Sequence, residues 1–338
     1  MLFGVNMKKK ALVAVALIIF AFAAVTYFVY APKSESVDFF AMDTYMSFTV
    51  KGRAADKVAE IVKERIICLD EKILSRKRDG SEVNLLNKNH GGKLSAKLGK
   101  YISDLLDVSE KSGGKYDFTL GAVSDLWGFG KAPAVPGEDE LNAALNLAGA
   151  DKLTLSGSNI EFPQGVIIDF GSAGKGIVLD EIKTILDDYE VKEAVMSAGG
   201  SILVYGSREF TVGIKDPEGG SGYIAVLHVP QCCVSTSGSY ERYFESDGKK
   251  YHHILDPETG CPAENSLISV TVISQSGILS DALSTACFVC GVEDGIALCE
   301  EYGCEAVFID NNHGIYATDG IKNSLEITDG AYSFADEK

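Results

Sequence analysis

The sequence predicts an α/β to α+β fold, a mixed and mostly antiparallel sheet with flanking helices, preceded by one N-terminal transmembrane helix. Three observations carry this. Residues 11–31 form a run of 21 residues without a charge, directly behind Lys8, Lys9 and Lys10. Apolar residues recur at helical spacing within 54–74, as Val58, Ile61, Val62, Ile66 and Leu69. Beyond residue 139, short apolar runs alternate with helical stretches through both crossover-length and hairpin-length connections.

The uncharged run is long enough to span a bilayer as a helix. The lysines ahead of it should stay cytoplasmic, which places the body outside, on a single-pass protein of the cell membrane. A cleaved signal peptide is the alternative, because Ala21-Phe22-Ala23 resembles a cleavage site. The uncleaved anchor is preferred, since the apolar run continues well past that point. The absence of a nearby cysteine argues against a lipid-modified lipoprotein. The chain thus divides into a basic segment (1–10), an anchor (11–31), a short polar tether (32–36) and one body (37–338). A Pro/Gly-containing loop at 131–139 marks a possible sub-boundary.

Within the body, 37–50 reads as one strand-like stretch and 54–74 as a helix. Residues 98–112 form an amphipathic helix closed by Gly113-Gly114. Residues 166–170 read as a strand running into a glycine loop and a helix near 177–189. Further strands are expected at 194–197, 210–214, 223–229 and 267–273, and helices at 281–290 and 295–302.

The formal net charge is −17. Lys8, Lys9, Lys10, Lys33 and Glu35 give residues 1–36 a net +3, which leaves −20 on the body. Bulk electrostatics therefore exclude nucleic acid as a partner. An anionic ligand must be held locally by backbone N–H groups, a metal or a few placed cations. Of the eight cysteines, Cys287 and Cys290 form a CxxC inside an apolar run, the setting of buried core thiols and not of a redox or zinc motif. Neither HExxH nor GxSxG occurs, and Trp127 reads as core.

Four segments could carry chemistry. In Ile168-Asp169-Phe170-Gly171-Ser172-Ala173-Gly174-Lys175-Gly176 a glycine turn enters a helix, whose N-terminus favours anions; the spacing fits neither a Walker A loop nor GxGxxG. Asp281 and Thr285 are four apart behind Ser280, a plausible N-cap, so they share one helix face and could offer Mg²⁺ two hard oxygen ligands. Spacing alone favours the plainer roles, a carboxylate at the helix dipole and a Thr bonding its own backbone. In Tyr251-His252-His253-Ile254-Leu255-Asp256 the two histidines point to opposite faces of a strand, so one could serve as a general base. Ser197-Ala198-Gly199-Gly200 and Ser235-Thr236-Ser237-Gly238 are small-residue turns that offer hydroxyls and free N–H groups.

Taken in order, these segments resemble the FAD:protein FMN transferase (ApbE) family. The matching stretches are Ala41-Met42-Asp43-Thr44, Tyr116-Asp117-Phe118-Thr119-Leu120-Gly121 through Leu126-Trp127-Gly128-Phe129-Gly130, and the glycine loop at 169–176. The two small-residue turns, 253–260 and 281–285 complete the set, which spans nearly all of 37–310. Each motif is modest, and the ordered set is specific.

The resemblance implies an ApbE-like fold with an FAD pocket between the two halves of the chain. It implies transfer of FMN from FAD to a Ser/Thr hydroxyl of an acceptor protein, with release of AMP. The acceptor would be an exported or membrane redox protein. Met42, Lys77, Tyr116, Asp117, Asp169, Lys175, Leu255 and Ser284 would line the FAD site. Mg²⁺ would be held by the Ser172 carbonyl and the side chains of Asp281 and Thr285, and His253 would be the base. Two departures stand out: Asp43 where the family often has glycine, and Lys77 where it often has tyrosine. An FAD pyrophosphatase and a non-catalytic flavin-binding protein are the competing readings.

Overall fold

The computed structural model describes residues 19, 20, 22, 32–130, 132–220 and 222–335. The basic segment and nearly all of the expected anchor lie outside the described residues. Among the described residues no helix is long and apolar enough to cross a membrane.

The body opens with a hairpin, β1 (Lys33–Ala41) and β2 (Thr44–Gly52), where the sequence reads as a single strand. Met42 and Asp43 make the two-residue turn, both with left-handed backbone (φ 50° and 57°). Such turns need positive φ at both central positions and usually recruit Asn-Gly or Asp-Gly, so Met-Asp carries no local turn signal. The expected tether is not a free linker. Residues 33–36 pair with 49–52 as the outer end of β1.

Helix α1 (Ala55–Cys68) continues into a π-helical turn at Leu69–Leu74, and α2 (Glu82–Asn89) and β3 (Gly91–Lys93) follow. Helix α3 (Ala96–Lys111) buries Leu98, Tyr101, Ile102, Leu105 and Val108, a stripe at helical period, and the Ser95 hydroxyl caps it by accepting from Leu98 N–H. Next come α4 (Gly121–Trp127), α5 (Glu138–Leu145), β4 (Thr154–Ser156) and β5 (Asn159–Glu161). The segment 166–170 is extended but not a ladder strand; it makes a single bridge, between Leu120 and Ile167.

Helix α6 (Gly174–Asp188) leads to β6 (Val191–Ala198), β7 (Ser201–Gly206), β8 (Phe210–Lys215), β9 (Tyr223–Val229) and β10 (Cys232–Gly238). A ribbon, β11 (Tyr243–Ser246) with β12 (Lys249–His252), turns at Asp247-Gly248, where both residues have positive φ. Strand β13 (Leu267–Ser274), α7 (Gly277–Cys290), α8 (Val292–Glu301), β14 (Glu305–Asp310), β15 (Gly314–Ala317), α9 (Asp319–Lys322), β16 (Leu325–Ile327) and β17 (Ser333–Phe334) complete the body. Helix α7 starts one turn earlier than the sequence suggests. Its N-cap is Ser276, whose hydroxyl accepts from Leu279 N–H, and not Ser280.

Among the described residues the main sheet has nine strands in the order β1-β2-β6-β7-β10-β13-β14-β15-β17. Every pairing is antiparallel except β15 with β17. Alternation along β14 divides the molecule into layers. Ala306 and Phe308 join the core under the helices, while Val307 and Ile309 face a second core roofed by β8 and β9. Helices α6 and α7 pack on the first face. They cross where Gly176 meets Gly277, so closely that a Cβ on Gly176 would stand 2.2 Å from the Gly277 carbonyl oxygen. This contact brings the N-terminus of α6 against the second turn of α7.

Candidate active site

The site is built around the N-terminus of α6. Residues 170–173 turn into the helix, and Ala173 at its N-cap has no side chain with which to cap it. Its Gly176 N–H donates to Asp281 Oδ2 at 2.9 Å, a bond that only the glycine crossing allows. Asp281 is buried on α7, and its Oδ1 accepts from the Ser201 hydroxyl at 3.2 Å. Its nearest cation is Lys175, with Nζ 3.9 Å from Oδ1. The expectation that an early-helix Asp serves its own helix dipole is not met, because this carboxylate binds the end of a different helix.

Around Asp281 lies a run of hydroxyls. Ser284 Oγ donates to the Asp281 carbonyl at 2.8 Å, and Ser237 Oγ lies 2.8 Å from Ser284 Oγ and 3.2 Å from Thr285 Oγ1. Strand β10 thereby ties its small-residue turn to the face of α7 carrying Asp281 and Thr285. Across α6, the Ser172 hydroxyl donates to the buried Tyr116 hydroxyl at 3.1 Å. Burial, and beyond it the negative charges of Asp281, Asp117 and Asp169, push the Tyr116 phenol well up, so it stays protonated. Met42 closes the other side, its terminal methyl packing where a Cβ on Gly174 would lie 3.0 Å away.

Of the two histidines, His252 turns inward. It stands edge-on to Phe288 and its Nε2 lies 3.1 Å from the Ala263 carbonyl oxygen. His253 is half-buried near the cleft cations. Its N–H donates to the Arg242 carbonyl at 3.1 Å and its Nδ1 lies 3.2 Å from the same oxygen. A carbonyl can only accept, so Nδ1 holds the proton and Nε2 presents a lone pair. Burial first, then the charges of Arg242 and Lys175, lower the imidazole pKa to about 4. The ring is therefore neutral at pH 7, with a basicity that rises when an anion offsets those two cations.

Sequence reasoning missed Arg242, described above beside His253, and two further charged residues. Arg76 grips Asp169 through Nε at 2.7 Å and Asp125 through a bidentate pair at 2.7 and 2.8 Å. Asp169 in turn accepts from Gly171 N–H at 3.0 Å and so fixes the glycine turn. Glu241 is exposed along its stem but sets its carboxyl against the Gly199-Gly200 turn, where its Oε1 would lie 2.9 Å from a Cβ on Gly200. Burial by the surrounding protein, reinforced by Asp281 and opposed by Lys175, raises its carboxyl. The cluster Arg76-Lys77-Arg78 and the acid–base pair Glu241-Arg242 were the available signals.

Three further expected site residues are engaged with other parts of the protein. Asp117 accepts from Thr119 N–H and hydroxyl with Oδ1 and from Ala150 N–H with Oδ2, so its carboxylate staples a turn. Leu255 packs into a satellite core with Val123, Trp127 and Leu141. Lys77 is exposed and reaches only Asp125, at 3.5 Å. A separate cavity of about 470 Å³, bordered by Trp127, Lys249, His252 and Cys261, contains none of the residues converging on α6.

Mg²⁺ takes oxygen ligands and is commonly held by one or two carboxylates plus substrate phosphates. Among the described residues no three His, Cys, Asp or Glu side chains gather around one point. The oxygens the structure gathers are the buried Asp281 carboxylate and, linked to it through Ser284 and Ser237, the Thr285 hydroxyl; the Ser172 carbonyl is the third donor the resemblance implies. The N–H of Gly176, four residues on from Ser172, is directed to Asp281. These hard oxygens fit an ion whose remaining ligands come from phosphate.

A model of the ApbE family matches residues 42–308. The chain is 35% identical to the FAD:protein FMN transferase of Treponema pallidum over 289 residues, 78% of this chain and 80% of that protein. It is 30% identical to the FAD:protein FMN transferase of Klebsiella pneumoniae, over 83% of this chain and 90% of that protein. Among solved structures, the ApbE protein of Thermotoga maritima superposes with a TM-score of 0.79 at 29% identity, covering 86% of this chain and 99% of that one. The apo flavinyl transferase ApbE of Pseudomonas stutzeri superposes with a TM-score of 0.76 at 28% identity, covering 87% of this chain and 97% of that one.

Proposed function

This chain belongs to the ApbE family, and on that premise we propose how its own residues transfer FMN from FAD to a protein hydroxyl. It is an FAD:protein FMN transferase, as its relatives are named. The observation that carries the assignment of roles is the convergence on the N-terminus of α6. Asp281 meets it through Gly176 N–H, Lys175 is its second residue, and Tyr116 reaches it through Ser172.

The pyrophosphate of FAD is the group this end of α6 accommodates, because the positive end of the helix dipole and Lys175 favour anions. Mg²⁺, held by Asp281, Thr285 and the Ser172 carbonyl, would neutralise charge developing on the phosphate oxygens. Tyr116, kept protonated, is a hydrogen-bond donor beside them. His253 Nε2 takes the proton of the incoming Ser or Thr hydroxyl. That oxygen forms a bond to the FMN phosphorus, the bond from phosphorus to the bridging oxygen breaks, and AMP carries that oxygen away. The product is an FMN phosphodiester on the acceptor. Asp169 shapes the glycine turn, with Arg76 holding it, and Met42 borders the cleft where the isoalloxazine half would lie.

The acceptor in this reading is an exported or membrane redox protein, and the anchor in residues 11–31 holds the catalytic body outside the membrane. That part rests on the lysines ahead of the uncharged run, and fractionation of cells expressing the full chain tests it. The chemistry is tested by incubating the protein with FAD, Mg²⁺ and an acceptor, then reading covalent flavin fluorescence on a denaturing gel beside release of AMP. Label on the acceptor with one AMP per FMN is expected. Free FMN with no label under any acceptor would replace transfer by hydrolysis.

A further inference from the structure

We propose that the open edge of β11 is the docking site for the acceptor, an extended Ser/Thr-bearing segment adding to the β11–β12 ribbon as a further strand. This deepens the transferase reading and rests on it. Strand β11 pairs only with β12 among the described residues, so its other edge presents unpaired backbone groups. The strand is short and carries one charge, Glu245, but neither lysine, proline nor a bulge interrupts Tyr243-Phe244-Glu245-Ser246.

A cavity of about 350 Å³ runs beside this strand, lined by Phe129, Pro133, Arg242, Tyr243 and Phe244 among others. Neighbouring side chains on a strand point to opposite faces. The cavity touches two consecutive residues of the strand, Tyr243 and Phe244, as a groove along the edge would. The ribbon is held firmly enough to act as a template. A lone hairpin is marginal in water, but Phe244 and Tyr251 stack at 5.3 Å and pack on Phe129 and Trp127 at 5.7 and 5.5 Å.

The edge begins at the base. The carbonyl of Arg242, the residue before β11, accepts from His253 N–H and orients the His253 ring. The Arg242 guanidinium reaches the Asp43 carbonyl at 3.3 Å on the β1–β2 turn, whose Met42 borders the flavin side of the cleft. The groove and the base thus share Arg242, so a hydroxyl carried at the Tyr243 end of the edge would lie on the His253 side of the ribbon. Recognition through main-chain pairing suits an enzyme whose substrate is a stretch of another polypeptide.

The test uses the full chain with FAD and Mg²⁺ and a panel of short synthetic peptides, each with one central threonine, together with folded exported redox proteins. On a peptide that is flavinylated, backbone N-methylation is scanned residue by residue. Strand addition predicts loss of kcat/KM at alternate positions only, each roughly fivefold for one hydrogen bond removed. In parallel, hydrogen exchange on the wild-type protein should show slowed amides within 243–246 when a valine-for-threonine version of that peptide is added. Flavinylation with no alternating pattern, or with no protection of 243–246, overturns the proposal and leaves the transferase reading standing. Protection that grows with enzyme concentration in the absence of peptide assigns the edge to a second copy and also overturns it. If nothing offered is flavinylated although FAD binds, the transferase reading falls and this proposal with it.

Discussion

Gly176→Ala is the substitution that most directly probes how the site is assembled. The added Cβ would stand 2.2 Å from the Gly277 carbonyl oxygen and 2.7 Å from Asp281 Cβ. Neither neighbour is the loose end of a flexible chain, so α6 and α7 must part by roughly 1 Å to reach ordinary contact. Helix propensity works the other way, favouring alanine by about 1 kcal/mol. Overpacking costs about 1–3 kcal/mol, so the net effect is a modest loss of stability. Activity should suffer more. The Gly176 N–H···Asp281 bond at 2.9 Å cannot survive such a separation, and a displacement of about 1 Å in a catalytic constellation costs on the order of 10²-fold. The assay is the initial rate of covalent flavin labelling, taken well below the variant's melting temperature. Gly174→Ala is the control, because the one tight neighbour of its Cβ would be the terminal methyl of Met42 at 3.0 Å, which can swing aside; its loss should stay below about tenfold. A Gly176→Ala protein with wild-type rate and melting temperature would refute the reasoning.

Further expectations follow from the same geometry. His253→Ala should keep FAD binding and lose roughly 10²–10⁴-fold in transfer; equal rates would remove the base from His253. Because the free imidazole is lowered to about 4, kcat/KM should hold as pH drops through ~6.5 and fall only towards 4. A break near ~6.5 would mean that the ring is freely hydrated. Asp43→Gly should raise stability by about 1 kcal/mol in thermal melts, since Asp43 holds φ 57° at a cost glycine does not bear; an unchanged or lower melting temperature would argue against strain in the turn. Glu181 accepts from Arg65, Lys97 and Tyr101 at 2.7, 2.7 and 2.5 Å. Burial opposes its ionisation, but these donors outweigh it and hold the carboxyl below its usual range. Its contribution is therefore present above the unfolded carboxylate pKa and lost as pH falls through the folded one. Glu181→Ala should cost about 3 kcal/mol in denaturant melts and flatten that acid limb; a loss within 0.5 kcal/mol (about the scatter of a surface change) would sink the assignment.

What could be read in advance was what is local. The period in 98–112 depends on residues three and four apart, and the observed helix buries the faces it implies. The ordered set of segments from 41–44 to 281–285 carries the family resemblance along the chain itself. What failed were boundaries and partners. The β1–β2 turn was invisible because a left-handed Met-Asp pair has no propensity to announce it. The run 166–170 is apolar because Val166, Ile168 and Phe170 are buried, and burial alone does not distinguish a ladder strand from an extended core segment. The turn that Asp117 staples and the satellite core that Leu255 joins were likewise not legible in the motifs that contain them. Arg76 lay beyond reach for a different reason. Its partners are 49 and 93 residues away, and nothing along the chain registers an ion pair that exists only once α4 and the glycine turn are folded together. The same distance explains Asp281. By spacing it was an ordinary early-helix acid. Its carboxylate becomes a site element because two glycines, 101 positions apart by number, let one helix end touch another helix's second turn. Reactivity in this fold is thus a property of the α6–α7 crossing. The motifs supply the groups, and the absence of two Cβ atoms decides whether they meet.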